Sequence, residues 1–150
     1  MRKIGLILLV FSFAMTSHAQ TKKIVFVCEH GSAKSVIAAA YFNKLAIEKN
    51  IPWRAVARGT DPDAVISLKT KQLLLEDKLF DKSFVPQKLS QQDVNEAQRV
   101  ILFYTLPESI KGKNNIQYWK GIDAVDGDFV KLRNDIVNKI TPVIDSLSRK

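Results

Sequence analysis

The chain has 150 residues, a formal net charge of +8 and a single cysteine. This length predicts one domain, and an apolar fraction of 46% is typical of a globular core and excludes a disordered chain. One cysteine excludes an intramolecular disulfide framework and a multi-cysteine zinc site.

The first 19 residues have the pattern of a secretory signal peptide. Arg2 and Lys3 precede an apolar run from Ile4 to Met15, and residues 17–19 supply the small side chains that a signal peptidase reads. The run is short for a membrane-spanning helix, although an uncleaved anchor is the alternative. The pattern predicts a periplasmic or secreted protein whose domain comprises residues 20–150, with no stable membrane association after cleavage.

Strand and helix patterns alternate along the rest of the chain. Strands are predicted at 23–27, 53–58, 99–104 and 116–119, and helices at 35–49, at 64–78, after a capping box at Ser90–Asp93, and from Asp128 until Pro142 interrupts or restarts the helix. The alternation predicts a single α/β domain with a parallel sheet and helices on both faces. In such folds ligands bind at the carboxyl ends of the strands.

The loop after the first strand contains the residues best suited to chemistry. It reads Cys28-Glu29-His30-Gly31-Ser32-Ala33-Lys34-Ser35. Backbone N–H groups in such a turn can converge on a tetrahedral anion, and the following helix N-terminus and Lys34 add positive charge. A thiol at a strand end before a helix N-terminus is a candidate nucleophile, so the loop predicts a phosphate-like oxyanion beside a nucleophile. A Walker A nucleotide loop is excluded, because its two required glycines fall at Ala33 and Cys28.

This segment resembles the C-x5-R-S signature of the low-molecular-weight protein tyrosine phosphatases and the related arsenate reductases. The likeness continues through four later segments: 57–60, 86–90, 99–103 and 119–124. The resemblance implies a phosphotyrosine phosphatase I-like fold. That fold is a four-stranded parallel sheet flanked by helices, with a phosphate-binding loop after the first strand.

The resemblance also implies a reaction, the hydrolysis of aryl phosphate monoesters without a metal or cofactor. The substrate would be a phosphorylated protein or a small aryl phosphate. Cys28 would form a phosphocysteine, Lys34 would hold the phosphate oxygens, and Asp123 would be the general acid, with Asp126 and Asp128 as its competitors. The substrate-binding residues implied by the resemblance are Glu29, His30, Gly31, Ser32, Ala33 and Ser35, the last donating a hydrogen bond to the thiolate.

Three departures from the family pattern predict weaker or altered catalysis. Lys34 replaces the signature arginine, Gly31 replaces an asparagine that braces the loop, and Ala124 replaces the proline after the acid. Two alternatives therefore stay open. One is an arsenate reductase that takes an external thiol, since the chain has no second cysteine. The other is a non-catalytic oxyanion-binding protein of the same fold.

The basic surplus is spread along the chain, without an arginine-rich cluster or an aromatic-basic RNA motif. It predicts a solvated surface that mildly favours anionic substrates, and no nucleic-acid partner. After cleavage one histidine and one cysteine would remain, too few for a metal site.

Overall fold

Four parallel strands form the centre of the fold. The computed structural model describes residues 20–149, and the predicted signal segment at 1–19 lies outside the described residues. The elements, in chain order, are β1 (Lys22–Cys28), α1 (Lys34–Glu48), β2 (Trp53–Gly59), α2 (Leu68–Glu76), α3 (Gln91–Glu96), β3 (Arg99–Leu102), β4 (Ile116–Tyr118), a 3₁₀ turn (Val125–Gly127) and α4 (Phe129–Ser148).

The strand order is β2-β1-β3-β4 and all neighbouring pairs are parallel, which confirms the predicted sheet. Residues 24–27 of β1 are fully buried, as a central strand covered on both faces requires. In the register, Cys28 lies opposite Gly59 and Val27 opposite Leu102. The loop after β1 is therefore flanked by the segments that follow β2 and β3.

Each face of the sheet has its own apolar cluster. The larger cluster joins β1, β2 and β3 to α1, α2 and α4, and it includes Phe26, Phe42 and Trp119. The smaller cluster joins the other face of β1 and β3 to α3 through Leu89 and Val94. Within residues 20–149, no helix is long and apolar enough to cross a membrane.

The second helix is shorter than the sequence pattern predicts. It begins at Leu68 instead of 64 and ends at Glu76 instead of 78. Ser67 is the N-cap, because its side-chain oxygen accepts the Thr70 N–H at 3.2 Å. Residues 64–67 are left as a non-helical segment that reaches the loop after β1.

The prediction that Pro142 interrupts or restarts the last helix is wrong. Helix α4 continues through Pro142 to Ser148. Proline removes one hydrogen bond to the carbonyl of Asn138, and both residues lie on the exposed side of the helix, where water can satisfy that carbonyl. Ile140 and Ile144, on either side of the proline, are fully buried and keep the helix packed against the core.

A buried carboxylate connects the start of β1 to the end of β2. Asp93 is the N3 residue of the capping box that opens α3, as predicted, and it accepts hydrogen bonds from Arg58 (2.9 Å) and Lys23 (3.1 Å). Burial alone would raise the pKa of Asp93. Hydrogen bonds from Arg58, Ser90 and Lys23 outweigh burial and lower that pKa to about 2.

We expect Asp93→Asn to destabilise the protein at neutral pH, by about 2–4 kcal/mol in the free energy of unfolding, because a buried ion pair loses one partner. A carboxylate with a lowered folded-state pKa stabilises the fold above its unfolded-state pKa, and that contribution disappears as the pH falls through the folded-state value. The deficit of the variant should therefore be full at pH 7 and shrink as the pH falls from 3.8 towards about 2. Urea unfolding at pH 7 and pH 3 measures it.

Asp135→Asn is the matched control, because Asp135 pairs with Lys131 on the exposed side of α4. Loss of such a surface pair should change stability by less than about 1 kcal/mol. A pH-independent deficit in Asp93→Asn would contradict the assigned role of the Asp93 carboxylate.

Candidate active site

The loop after β1 is held by the segment that follows β2. Four backbone N–H groups of that segment donate to carbonyls of the loop: Thr60 to Cys28 (3.0 Å), Asp61 to Glu29 (2.9 Å), Asp63 to His30 (2.9 Å) and Ser67 to Ser32 (3.2 Å). These bonds fix four carbonyl groups on the outer side of the loop. Residues 28–35 are called the anion loop below.

The same bonds determine where the amide groups of the anion loop point. In a trans peptide the C=O of one residue and the N–H of the next point in opposite directions, and residues 20–149 contain no cis peptide bond. The N–H groups of residues 29, 30, 31 and 33 therefore face the inner side of the loop. Within the described chain, none of the N–H groups of residues 29–34 donates to another protein group. A concave set of free donors is a binding site for an anion.

Helix α1 adds its own N-terminus to this site. Its N-cap is Ala33, which has no side chain able to accept a hydrogen bond from the first turn. The amide groups that a serine or aspartate cap would occupy stay available to a ligand. The helix dipole also places partial positive charge at the mouth of the anion loop.

Two glycines allow the anion loop to lie directly against β2. Gly31 has a φ of +60°, which glycine adopts without strain. A Cβ at Gly31 would lie 2.9 Å from the Gly59 nitrogen, and a Cβ at Gly59 would lie 2.8 Å from the Gly31 nitrogen. Gly31, where the family pattern has asparagine, is therefore required by this close approach of two backbones.

Cys28 lies at the base of the anion loop. Cys28 is only 3% exposed and Ser35 is fully buried. The Sγ of Cys28 lies 3.1 Å from the Oγ of Ser35. The serine hydroxyl is in position to donate to the sulfur, as the resemblance implies. The thiol is thus shielded from bulk solvent and lies at the residue where the anion loop begins.

Lys34 and Asp123 meet at the mouth of the site. The Nζ of Lys34 lies 2.7 Å from an Oδ of Asp123, whose side chain is 68% exposed. Of the other candidate acids, Asp128 is the N-cap of α4 and accepts the Lys131 N–H at 2.8 Å. Asp126 lies in the 3₁₀ turn with a φ of +53° and makes no hydrogen bond through its side chain within residues 20–149. Asp123 is the carboxylate that contacts the anion loop from this side.

Two further polar side chains of the anion loop, Ser32 and His30, face Asp63. Ser32 is 3% exposed, and its hydroxyl donates to Asp63 at 2.5 Å. The imidazole of His30 is 57% exposed and lies 3.6 Å from Asp63 and 3.7 Å from Glu29. Glu29 is directed towards His30 along the outer rim.

Most of the predicted site residues occupy one place in the structure. The residues that were predicted from the signature all lie within the anion loop. Asp123 reaches this loop from the segment after β4. Sequence reasoning missed Asp63, because the turn residues around it indicated a loop but gave no partner. Trp119 packs in the core against Phe26. Within the described residues, no group of three or more His, Cys, Asp or Glu side chains could hold a metal ion.

Comparison with known proteins identifies the fold. No protein-family model matches the chain, and no curated protein matches its sequence. Solved structures do match. YfkJ from Bacillus subtilis has 16% identity and a TM-score of 0.76, with 88% of this chain and 98% of that one covered. The low-molecular-weight protein tyrosine phosphatase from T. tengcongensis has 16% identity and a TM-score of 0.76, covering 84% and 99%. An arsenate reductase from Archaeoglobus fulgidus has 21% identity and a TM-score of 0.65, covering 81% and 98%.

The chain is therefore a single α/β domain with the fold shared by low-molecular-weight protein tyrosine phosphatases and arsenate reductases. This confirms the fold that the C-x5-K-S segment predicted. Identities of 16–21% establish the fold alone.

Proposed function

We propose that the protein is a cysteine-dependent phosphatase that hydrolyses aryl phosphate monoesters, including phosphotyrosine, through a phosphocysteine. The observation that carries the proposal is the position of the Cys28 sulfur at the base of a loop whose free N–H groups point inwards. A phosphate bound to those donors would present its phosphorus to the sulfur. The fold shared with solved phosphatases supports the same reading.

The first chemical step transfers the phosphoryl group to the protein. The Cys28 thiolate attacks phosphorus, the S–P bond forms, and the bond from phosphorus to the aryl oxygen breaks. The inward-facing amide groups and Lys34 stabilise the charge on the three equatorial oxygens. Asp123, at the mouth, donates a proton to the leaving phenolate.

The second step releases inorganic phosphate. Water attacks the phosphorus of the phosphocysteine, Asp123 accepts a proton from that water, and the S–P bond breaks to regenerate the thiolate. Ser35, 3.1 Å from the sulfur, stabilises the thiolate as a leaving group. Asp123 is acid in one step and base in the next, which needs only one carboxyl group.

Lys34 makes this site weaker than one with the signature arginine. A single ammonium group must serve the phosphate oxygens while it also contacts Asp123 at 2.7 Å. An arginine has a planar fork that can bind two phosphate oxygens and still present a further N–H to the carboxylate.

We therefore expect Lys34→Arg to raise kcat/KM for p-nitrophenyl phosphate by about tenfold, the gain from one added charge-assisted hydrogen bond. Lys34→Gln, which removes the charge, should lower it by at least about tenfold. Steady-state hydrolysis by the purified protein at pH 6 and pH 7 measures both. A loss in Lys34→Arg as large as that in Lys34→Gln would contradict the view of Lys34 as a weakened arginine.

A second candidate function is arsenate reduction. Arsenate has the same tetrahedral shape as phosphate and would fit the loop, and arsenate reductases share the fold. Cys28 is the only cysteine, so the two electrons must come from an external thiol. The Cys28 thiolate would form an S–As bond as arsenate loses water. One external thiol would attack the Cys28 sulfur and release arsenite, and a second would attack the resulting mixed disulfide, releasing the Cys28 thiol and one external disulfide. Arsenate-dependent thiol oxidation, without aryl phosphate hydrolysis, would favour this candidate.

We also propose that the protein acts outside the cytoplasm, in the periplasm or after secretion. The support is the signal pattern of residues 1–19. N-terminal sequencing of the protein recovered from the cell envelope tests it. An N-terminus at Gln20 is expected, and a mature protein that still begins at Met1 would contradict it.

A further inference from the structure

We propose that Asp63 is a positioning residue, which fixes the anion loop through the hydroxyl of Ser32 and the carbonyl of His30. The turnover part of this inference rests on the proposed phosphatase function, whereas the anion-binding part does not. The inference concerns a residue outside the C-x5-K-S segment, on the loop between β2 and α2.

Asp63 contacts the anion loop with both its backbone and its side chain. Its N–H donates to the His30 carbonyl at 2.9 Å, and its carboxylate accepts the Ser32 hydroxyl at 2.5 Å. The Ser32 side chain is buried, so without Asp63 its hydroxyl would lose the partner that the structure gives it. The second carboxylate oxygen of Asp63 lies 3.6 Å from the His30 imidazole.

These contacts act on the two residues that flank Gly31 in the anion loop. Gly31 has no side chain with which to brace the loop, and it links His30 to Ser32. Asp63 holds the residue on each side of it. The bond from the Asp63 N–H holds the peptide between residues 30 and 31, which directs the Gly31 N–H. The carbonyl of Ser32 is held by the Ser67 N–H, so Asp63 acts on the next peptide only by fixing the Ser32 side chain. Asp63 therefore fixes the Gly31 N–H through its backbone, and it fixes through its side chain the residue that precedes the Ala33 N–H.

The charge of Asp63 and its contacts with the anion loop have opposite expected effects on phosphate affinity. A carboxylate beside an anion site repels the anion, so loss of the charge alone would tighten phosphate binding. Loss of the side-chain contact to Ser32, which alanine removes while the backbone bond to His30 stays, would weaken it. The acceptor oxygen of Asp63 and its charge can be separated, because asparagine keeps an acceptor oxygen and removes the charge.

The test compares Asp63→Ala, Asp63→Asn and the control Asp61→Ala. Asp61 is exposed, two residues away, and its side chain makes no hydrogen bond within residues 20–149, so its loss removes the same charge without a loop contact. Calorimetric titration with inorganic phosphate gives Kd, hydrolysis of p-nitrophenyl phosphate gives kcat and KM, and thermal unfolding reports folding.

Asp63→Ala should weaken phosphate binding at least about fivefold and lower kcat/KM at least about tenfold. For Asp63→Asn, both Kd and kcat/KM should stay within about threefold of the parent values, because asparagine keeps the Ser32 contact. Asp61→Ala should bind phosphate as the parent does or slightly more tightly. Ser32→Ala combined with Asp63→Ala should be no worse than Asp63→Ala alone, because both remove one contact.

Tighter phosphate binding in Asp63→Ala would overturn the inference, as would an Asp63→Asn variant as impaired as Asp63→Ala. Failure of the parent to bind phosphate would overturn it too. Failure of the proposed function is distinguishable from all of these. A parent that binds phosphate but has no Cys28-dependent turnover refutes the phosphatase, while the Kd series still decides the role of Asp63.

Discussion

Replacement of Cys28 by serine should abolish hydrolysis of p-nitrophenyl phosphate, with a loss in kcat of at least about 1,000-fold, the scale seen when a covalent nucleophile is removed. Serine is nearly the same size, so the packing around this buried residue is kept. Its hydroxyl is a far weaker nucleophile than a thiolate at the same position. The loss should therefore appear in kcat and leave anion binding intact.

Phosphate binding by Cys28→Ser is the internal control for this result. The amide groups of residues 29–33 and Lys34 are unchanged, so the Kd for inorganic phosphate should stay within a few-fold of the parent. Residual turnover equal to that of the parent would show that the sulfur is not the nucleophile. Loss of both turnover and binding would show a damaged loop and would be resolved with Cys28→Ala.

The second large effect is expected at Gly31. Alanine there would take a left-handed φ and bring its Cβ to 2.9 Å from the Gly59 backbone nitrogen, where no flexible side chain can give way. We expect Gly31→Ala to lower the free energy of unfolding by at least about 2 kcal/mol, from left-handed strain and overpacking together. Because the loop must move away from β2, phosphate affinity should fall by at least about tenfold.

Gly121→Ala separates these two causes. Gly121 also has a positive φ, of +73°, but a Cβ there would meet nothing within 4 Å. The free energy of unfolding of Gly121→Ala should fall only by the cost of a left-handed backbone at alanine, about 1–2 kcal/mol. Chemical denaturation of both variants gives the comparison. Equal losses in the two variants would mean that the close approach of Gly31 to Gly59 contributes nothing.

The sheet and the anion loop could be predicted from the sequence because both are encoded locally. A continuous apolar run with β-branched residues indicated the central strand β1, and the order of thiol, five loop residues, cation and serine lies within one short segment. The capping box at Ser90 and Asp93 is likewise local, and the structure contains it.

Contacts between distant segments could not be predicted in the same way. Asp63 reaches Ser32 because Cys28 lies opposite Gly59 in the sheet, and that register is not visible in either segment alone. The start of α2 was likewise missed, because Ser67 and not an earlier residue caps the helix. At Pro142, burial of Ile140 and Ile144 outweighs a local preference that predicts a break.

The most direct test of the proposed mechanism is to trap the phosphocysteine. The purified protein would be mixed with p-nitrophenyl phosphate, quenched in acid within the first turnover and digested for mass spectrometry. The account predicts one phosphoryl group on the peptide that contains Cys28, formed with a burst of nitrophenolate, and none in Cys28→Ser. Hydrolysis of the substrate with neither a burst nor a phosphorylated Cys28 would contradict it.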